Sequence, residues 1–149
     1  MADALACARP VRILSSPLAR AVQTVELLSS RTRIPVEVDE RLIDRDYGEL
    51  AGKSLVDVET EWGVVDDAPG VEPRQTVLER VRACLDDQIR YVGTGPVVLV
   101  SHDIAIRLLL SSIDESLGKP DDIAQRTGCW NVLERVESTW RVERVNQRP

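Results

Sequence analysis

Apolar positions along the chain fall into short runs, each bounded by residues that say what the run becomes. Pro96-Val97-Val98-Leu99-Val100, entered through Gly93-Thr94-Gly95, reads as a buried strand, and the run Ile104 to Leu110 reads as a helix packed against it. Val11-Arg12-Ile13-Leu14 predicts a second strand. Ser16 is a favourable N-cap and Pro17 a favourable first helical residue, so a helix is expected over 17–29, with Leu18, Ala21, Val22, Val25 and Leu28 as its apolar stripe. Ile34 to Val38 is a short β-like run. The segment Leu42 to Gly52, punctuated by Tyr47-Gly48 and Ala51-Gly52, reads as irregular, and Gly63 to Pro73 as a flexible loop over a pocket. Thr76 and Glu79 have capping-box spacing and predict the start of a helix that buries Val77, Val81, Cys84, Leu85 and Val92. Asn131 to Val136 and Trp140 to Val145 alternate with period two across Glu137-Ser138-Thr139, the pattern of a hairpin. Strands alternating with helices imply an α/β fold around a mostly parallel sheet.

Composition narrows what such a chain does. Its 149 residues suffice for one core, so one domain over 1–149 is expected. The net charge of −6 excludes the basic footprint that a nucleic-acid or acidic-membrane partner requires, and the absence of Phe leaves little to stack on single-stranded bases. Cys7, Cys84 and Cys129 are odd in number and widely spaced, which supports neither a disulfide framework nor a zinc site; they are expected to be reduced core residues. No run approaches the roughly 18 apolar residues of a membrane span, and no signal peptide is legible, so a cytoplasmic location is the expectation. Nothing in the sequence asks for a cofactor or a metal.

His102, the chain's single histidine, directly follows the apolar strand. In open α/β sheets the carboxyl ends of strands are where ligands bind, because helix amino termini rim the crevice there. A histidine used only as a turn or cap residue fits the same position. Arg20 lies in the first turn of the 17–29 helix, off the apolar stripe. There its planar five-donor fork can reach the same sheet edge and suits an oxyanion such as phosphate. A cation is poorly matched to a helix start, so the position also implies a bound anion or a nearby carboxylate. A solvated surface arginine is the plain alternative. Gly93-Thr94-Gly95 precedes its strand, whereas a dinucleotide fingerprint comes after one, which argues against a Rossmann-type nucleotide site.

Ser15-Ser16-Pro17-Leu18-Ala19-Arg20-Ala21-Val22-Gln23-Thr24, Asp39 to Gly52 with Leu42-Ile43-Asp44-Arg45-Asp46-Tyr47-Gly48 at its centre, Pro69-Gly70-Val71-Glu72 and Val97-Val98-Leu99-Val100-Ser101-His102 stand in the order found in the histidine phosphatase superfamily, the phosphoglycerate mutase-like proteins. The chain resembles that family from about Val11 to Asn146. The resemblance implies a three-layer sandwich with a mostly parallel sheet, and phosphomonoester hydrolysis or phosphoryl transfer through a phosphohistidine. By it Arg20 is a phosphate-binding arginine and His102 the second, phosphate-contacting histidine. Two carboxylates compete as proton donor. Asp44 stands where the mutase-like branch usually has a Glu, and Asp103, next after His102, resembles the acid phosphatase branch; a helix cap is the plain reading of Asp103. Glu72 is a weaker candidate whose plain role is a solvated loop residue.

Family members carry the nucleophilic histidine in an Arg-His-Gly motif at the end of their first strand, and this sequence has neither that motif nor a second histidine. Met1 to Pro10 resembles the last turns of the family's first helix, so the expectation is a domain lacking the first strand and most of the first helix. Such a chain is expected to be inactive or strongly impaired as an enzyme, or a non-catalytic binder of a phosphorylated small molecule, of phosphate, or of a partner. A mere gene fragment that folds poorly is the remaining alternative. The lost strand would leave an exposed sheet edge open to self-association.

Overall fold

The computed structural model describes residues 1–53, 56, 58, 60 and 63–148, the side chain of Asp67 aside. Its elements alternate as the apolar pattern requires: α1 (Ala2–Cys7), β1 (Arg12–Ser15), α2 (Ala19–Thr32), β2 (Val36–Val38), α3 (Arg74–Asp86), β3 (Val97–Val100), α4 (Asp103–Ile113), β4 (Trp130–Val136) and β5 (Thr139–Gln147). Single 3-10 turns at Glu40–Leu42, Gly48–Leu50 and Val65–Asp67 break the long connection between β2 and α3.

The strand order β2-β1-β3 is parallel throughout, with Ile13 opposite Val36 and Val98, and Leu14 opposite Glu37 and Leu99. The pleat sends alternate residues to opposite faces. Ile13, Val98 and Val100 meet Ala2, Val25 and Leu28 from α1 and α2 on one face; Leu14, Val97 and Leu99 meet Leu42 and Cys84 on the other. That second face continues into a cluster of Val77, Val81 and Leu85 from α3 with Ala105, Leu108 and Leu109 from α4. The sheet is thereby layered between helices. β1, with strands on both sides and helices on both faces, buries Ile13, Leu14 and Ser15 completely or nearly so.

β4 and β5 form a separate antiparallel hairpin turning at Glu137, whose φ of 52° is left-handed. Among the described residues β3 pairs only with β1, and β4 only with β5. Leu99 of β3 and Leu133 and Trp140 of the hairpin nevertheless pack on the same α3–α4 cluster. No helix among the described residues is long and apolar enough to cross a membrane.

Several local expectations are corrected. α2 begins at Ala19, two residues later than expected, since Leu18 is still extended and serves as the N-cap, and it runs on to Thr32 before Arg33 turns left-handed. α3 begins at Arg74 with Pro73 as N-cap, so Thr76 is already helical and no capping box forms; Glu79 instead accepts from Gln75. Val92 lies beyond that helix, half-exposed, and Cys7 is exposed rather than in the core. The 63–73 segment is tied down: Asp66 accepts from both Arg45 and Arg74, and Ala68 is buried with Leu50 and Val58. Gly48, at φ +52°, passes so close to Gly70 that a Cβ would stand 2.7 Å from its carbonyl oxygen.

Candidate active site

The carboxyl ends of β1 and β3 lie side by side, and the residues just beyond each strand build the site. After β1 the chain passes Ser16 and enters α2, whose second residue is Arg20. After β3 it passes Ser101 to His102, the extended N-cap of the 11-residue α4. Ser101 donates its hydroxyl to the carbonyl of Leu42, which brings the loop after β2 against the same edge. That loop delivers Asp44.

Three of the residues singled out by sequence converge here. Asp44 Oδ2 accepts from Arg20 Nη2 at 2.6 Å and stands 3.5 Å from His102 Nδ1, while its Oδ1 accepts the backbone N–H of Arg45 at 2.9 Å. One carboxylate oxygen is thus shared by a guanidinium and an imidazole. The carboxylate that the placement of Arg20 implied is Asp44.

On its other side the His102 ring meets Ser16, with Nε2 2.7 Å from Oγ. Ser16 is completely buried and His102 only 8% exposed. The Asp44 carboxylate facing Nδ1 favours the tautomer with the ring proton there, in which Nε2 accepts from the Ser16 hydroxyl; Ser16 Oγ itself accepts the N–H of Leu18 at 3.3 Å. Burial pushes the His102 pKa below its usual value; the Asp44 charge opposes this, and Arg20 and Arg80 reinforce it. The neutral imidazole is therefore the favoured form near neutral pH.

Asp103 is held differently. It is 61% exposed and accepts at 2.8 Å from Arg107, one turn further along α4, and Arg107 in turn donates to the carbonyl of Asp121. The half-buried Tyr47 hydroxyl is raised in pKa first by burial and then by the Asp44 charge, with Arg45 and Arg74 opposing. Glu72 is no solvated loop residue. It forms a two-point ion pair with Arg80, at 2.9 Å for both bonds, and is held below the usual carboxylate range chiefly by that contact.

Ser16 and Arg80 were not singled out as site residues in the sequence. Ser16 carried only an N-cap signal. For Arg80 the available sign was a cation flanked by the buried Val77 and Val81 of one helix, a place where a charge needs partners.

A guanidinium and a histidine meeting at strand ends beside two helix amino termini can hold an oxyanion. Comparison with known proteins agrees in class. The model of the histidine phosphatase superfamily (branch 1) matches residues 1–148, and the chain belongs to that family. It is 33% identical over 142 residues to a Salmonella newport protein called probable phosphoglycerate mutase GpmB, covering 86% of this chain and 65% of that one. To the Bacillus subtilis (strain 168) protein called uncharacterized phosphatase PhoE it is 28% identical over 136 residues, covering 90% of this chain and 69% of the other. The chain thus spans about two thirds of the length of these relatives. Among solved structures, mycobacterial hydrolase 1 superposes with a TM-score of 0.85 at 25% identity, over 99% of this chain and 81% of that one. Mycobacterial glucosyl-3-phosphoglycerate phosphatase in complex with inorganic phosphate superposes with a TM-score of 0.83 at 26% identity, over 98% and 81%.

Proposed function

We propose that this chain provides the phosphate-binding half of a histidine phosphatase site, acting on phosphomonoesters. The observation that carries the reading is the single Asp44 oxygen set between Arg20 and His102: the two groups that would hold phosphoryl oxygens face the group that would protonate the leaving alkoxide. The related mycobacterial phosphatase whose structure holds inorganic phosphate supports the same ligand chemistry. Asp44 is favoured over Asp103 as donor because it faces the buried His102 ring at 3.5 Å, whereas Asp103 is 61% exposed and paired within its own helix.

Transfer through a phosphohistidine needs a nucleophile other than His102, whose Nε2 is occupied by buried Ser16. The 149 residues contain no other histidine, so the chain by itself binds phosphate and hydrolyses p-nitrophenyl phosphate far more slowly than an intact family enzyme. Losing a catalytic nucleophile commonly costs on the order of 10⁴–10⁶ in rate. The non-catalytic binder remains the second reading, favoured by the same Ser16–His102 bond. The protein is taken as one cytoplasmic domain without a nucleic-acid or membrane partner, and the unpaired side of β3 as a place for a further strand.

Titration with inorganic phosphate, monitored by calorimetry, tests the site. Arg20→Ala should weaken binding by roughly ten- to a hundredfold, the worth of one charge-assisted bond of about 1.5–3 kcal/mol, whereas Arg148→Ala should leave it unchanged. Equal affinity in wild type and Arg20→Ala refutes the assignment.

A further inference from the structure

Arg80 is the most fully engaged arginine near the site, and no step of phosphate binding uses it. Its side chain on α3 is only 16% exposed and its partner Glu72 only 17%. All five N–H donors of a guanidinium find acceptors here. Nε and Nη2 donate to the two Glu72 carboxylate oxygens, Nη1 to the carbonyls of Arg41 at 2.9 Å and Ile43 at 2.6 Å, and Nη2 also to the carbonyl of Asp44 at 3.1 Å. Glu72 grips the same stretch from the other side. Its Oε2 accepts the N–H of Asp46 at 3.2 Å, its backbone N–H donates to the Asp46 carbonyl at 2.8 Å, and its own carbonyl accepts from Arg45 Nε at 2.7 Å.

The segment 43–46 lies in no helix or strand. Its carbonyls need the donors that secondary structure would otherwise give. The guanidinium fork supplies them, and in doing so fixes where the Asp44 backbone sits. With the Asp44 carbonyl pinned and its Oδ1 tied to the next N–H, little freedom is left for Oδ2 except to face Arg20 and His102.

We propose that the Glu72–Arg80 pair is a positioning device for Asp44, holding its carboxylate against His102 and Arg20 through the backbone rather than by touching a ligand. This rests on the site assigned above. A lysine keeps the charge but presents a point, not a fork, and cannot reproduce three carbonyl bonds together with a two-point ion pair.

The single histidine makes a clean reporter, because its ring protons give one set of NMR signals whose titration reads the field from Asp44. The charged groups acting on it are Asp44 from the loop, Arg20 from α2 and Arg80 from α3; Asp103 on α4 is already paired with Arg107. Arg80→Lys conserves charge, so a change in the His102 midpoint reports displacement of Asp44. The midpoint should fall by about half a pH unit or more, part of the 1–3 units that an adjacent opposite charge confers. In an Asp44→Asn background the same Arg80→Lys change should leave the midpoint unmoved, as expected if the two act in series. Glu72→Gln should reproduce the fall without altering Arg80 itself, and it serves as the test should Arg80→Lys fail to fold. A midpoint unchanged by the folded variants, with only a lowered melting temperature, overturns the proposal, as does an equal fall in the Asp44→Asn background. The experiment involves no phosphate, so its failure is distinguishable from a failure of anion binding.

Discussion

Ser16→Ala removes one oxygen from the deepest part of the site, and the structure sets the cost. The hydroxyl serves two groups, His102 Nε2 at 2.7 Å and the Leu18 N–H at 3.3 Å, and Ser16 itself has no exposure to water. A buried polar group left without its partner costs about 1–3 kcal/mol. The imidazole nitrogen should stand near the middle of that range, while the Leu18 N–H, longer in its bond and only partly buried, adds a fraction. The sum is about 2 kcal/mol, which for a domain of this size lowers the melting temperature by roughly 4–8 °C. The companion measurement is stability against pH. Burial holds the folded His102 pKa below the unfolded value of about 6.5, so between the two the unfolded chain binds a proton that the native chain does not. Stability is therefore greatest above about pH 6.5 and is lost as pH falls through the folded pKa, with a slope approaching about 1.4 kcal/mol per pH unit. The paired carboxylates, Asp39 at about 2 among them, are lowered rather than raised and lose their contribution only in more acid solution. His102→Gln should flatten the slope above about pH 5. Calorimetric melts of wild type, Ser16→Ala and His102→Gln from mildly acid to neutral pH decide the matter. A Ser16→Ala protein melting within about 1 °C of wild type, or a slope that survives His102→Gln, refutes the reasoning.

The backbone sets two further outcomes. Gly48→Ala combines a left-handed φ of +52° with a Cβ 2.7 Å from the Gly70 carbonyl oxygen and should cost about 2–4 kcal/mol in denaturant melts; Gly52→Ala, at φ +84° with nothing within 4 Å among the described residues, should cost only the dihedral share of about 1–2 kcal/mol, and equal losses would refute the close approach. The side of β3 that pairs with no strand among the described residues predicts concentration-dependent self-association by sedimentation velocity, and a monomer at every concentration would refute it.

Most of the elements were legible because their signals are local. The apolar runs at 11–14 and 97–100, the stripe of Ala21, Val25 and Leu28, and the period-two alternation of the hairpin all encode burial within a few residues of chain, and burial is what strands and helices are selected to achieve. His102 and Arg20 were legible as candidates for the same reason: each sits next to a strand that announces itself. Helix starts were less so. Ser16 and Thr76 carry cap chemistry, but Ser16 commits its hydroxyl to a histidine 86 residues away, and Pro73 opens α3 before Thr76 is reached. Which of Asp44 and Asp103 meets His102 lay outside the sequence altogether, since it depends on how distant elements pack; Arg107 pairs with Asp103 from within its own helix, while Arg20 and His102 converge on Asp44 from two strand ends. Glu72 and Arg80 show the limit most plainly. A loop glutamate and a helical arginine look solvated by composition, and only the packing of α3 against residues 41–46, at separations of 36 to 39 residues for the carbonyl bonds, turns them into partly buried partners. Periodicity and capping are properties of a short stretch of chain, whereas the satisfaction of buried charge is a property of the folded whole.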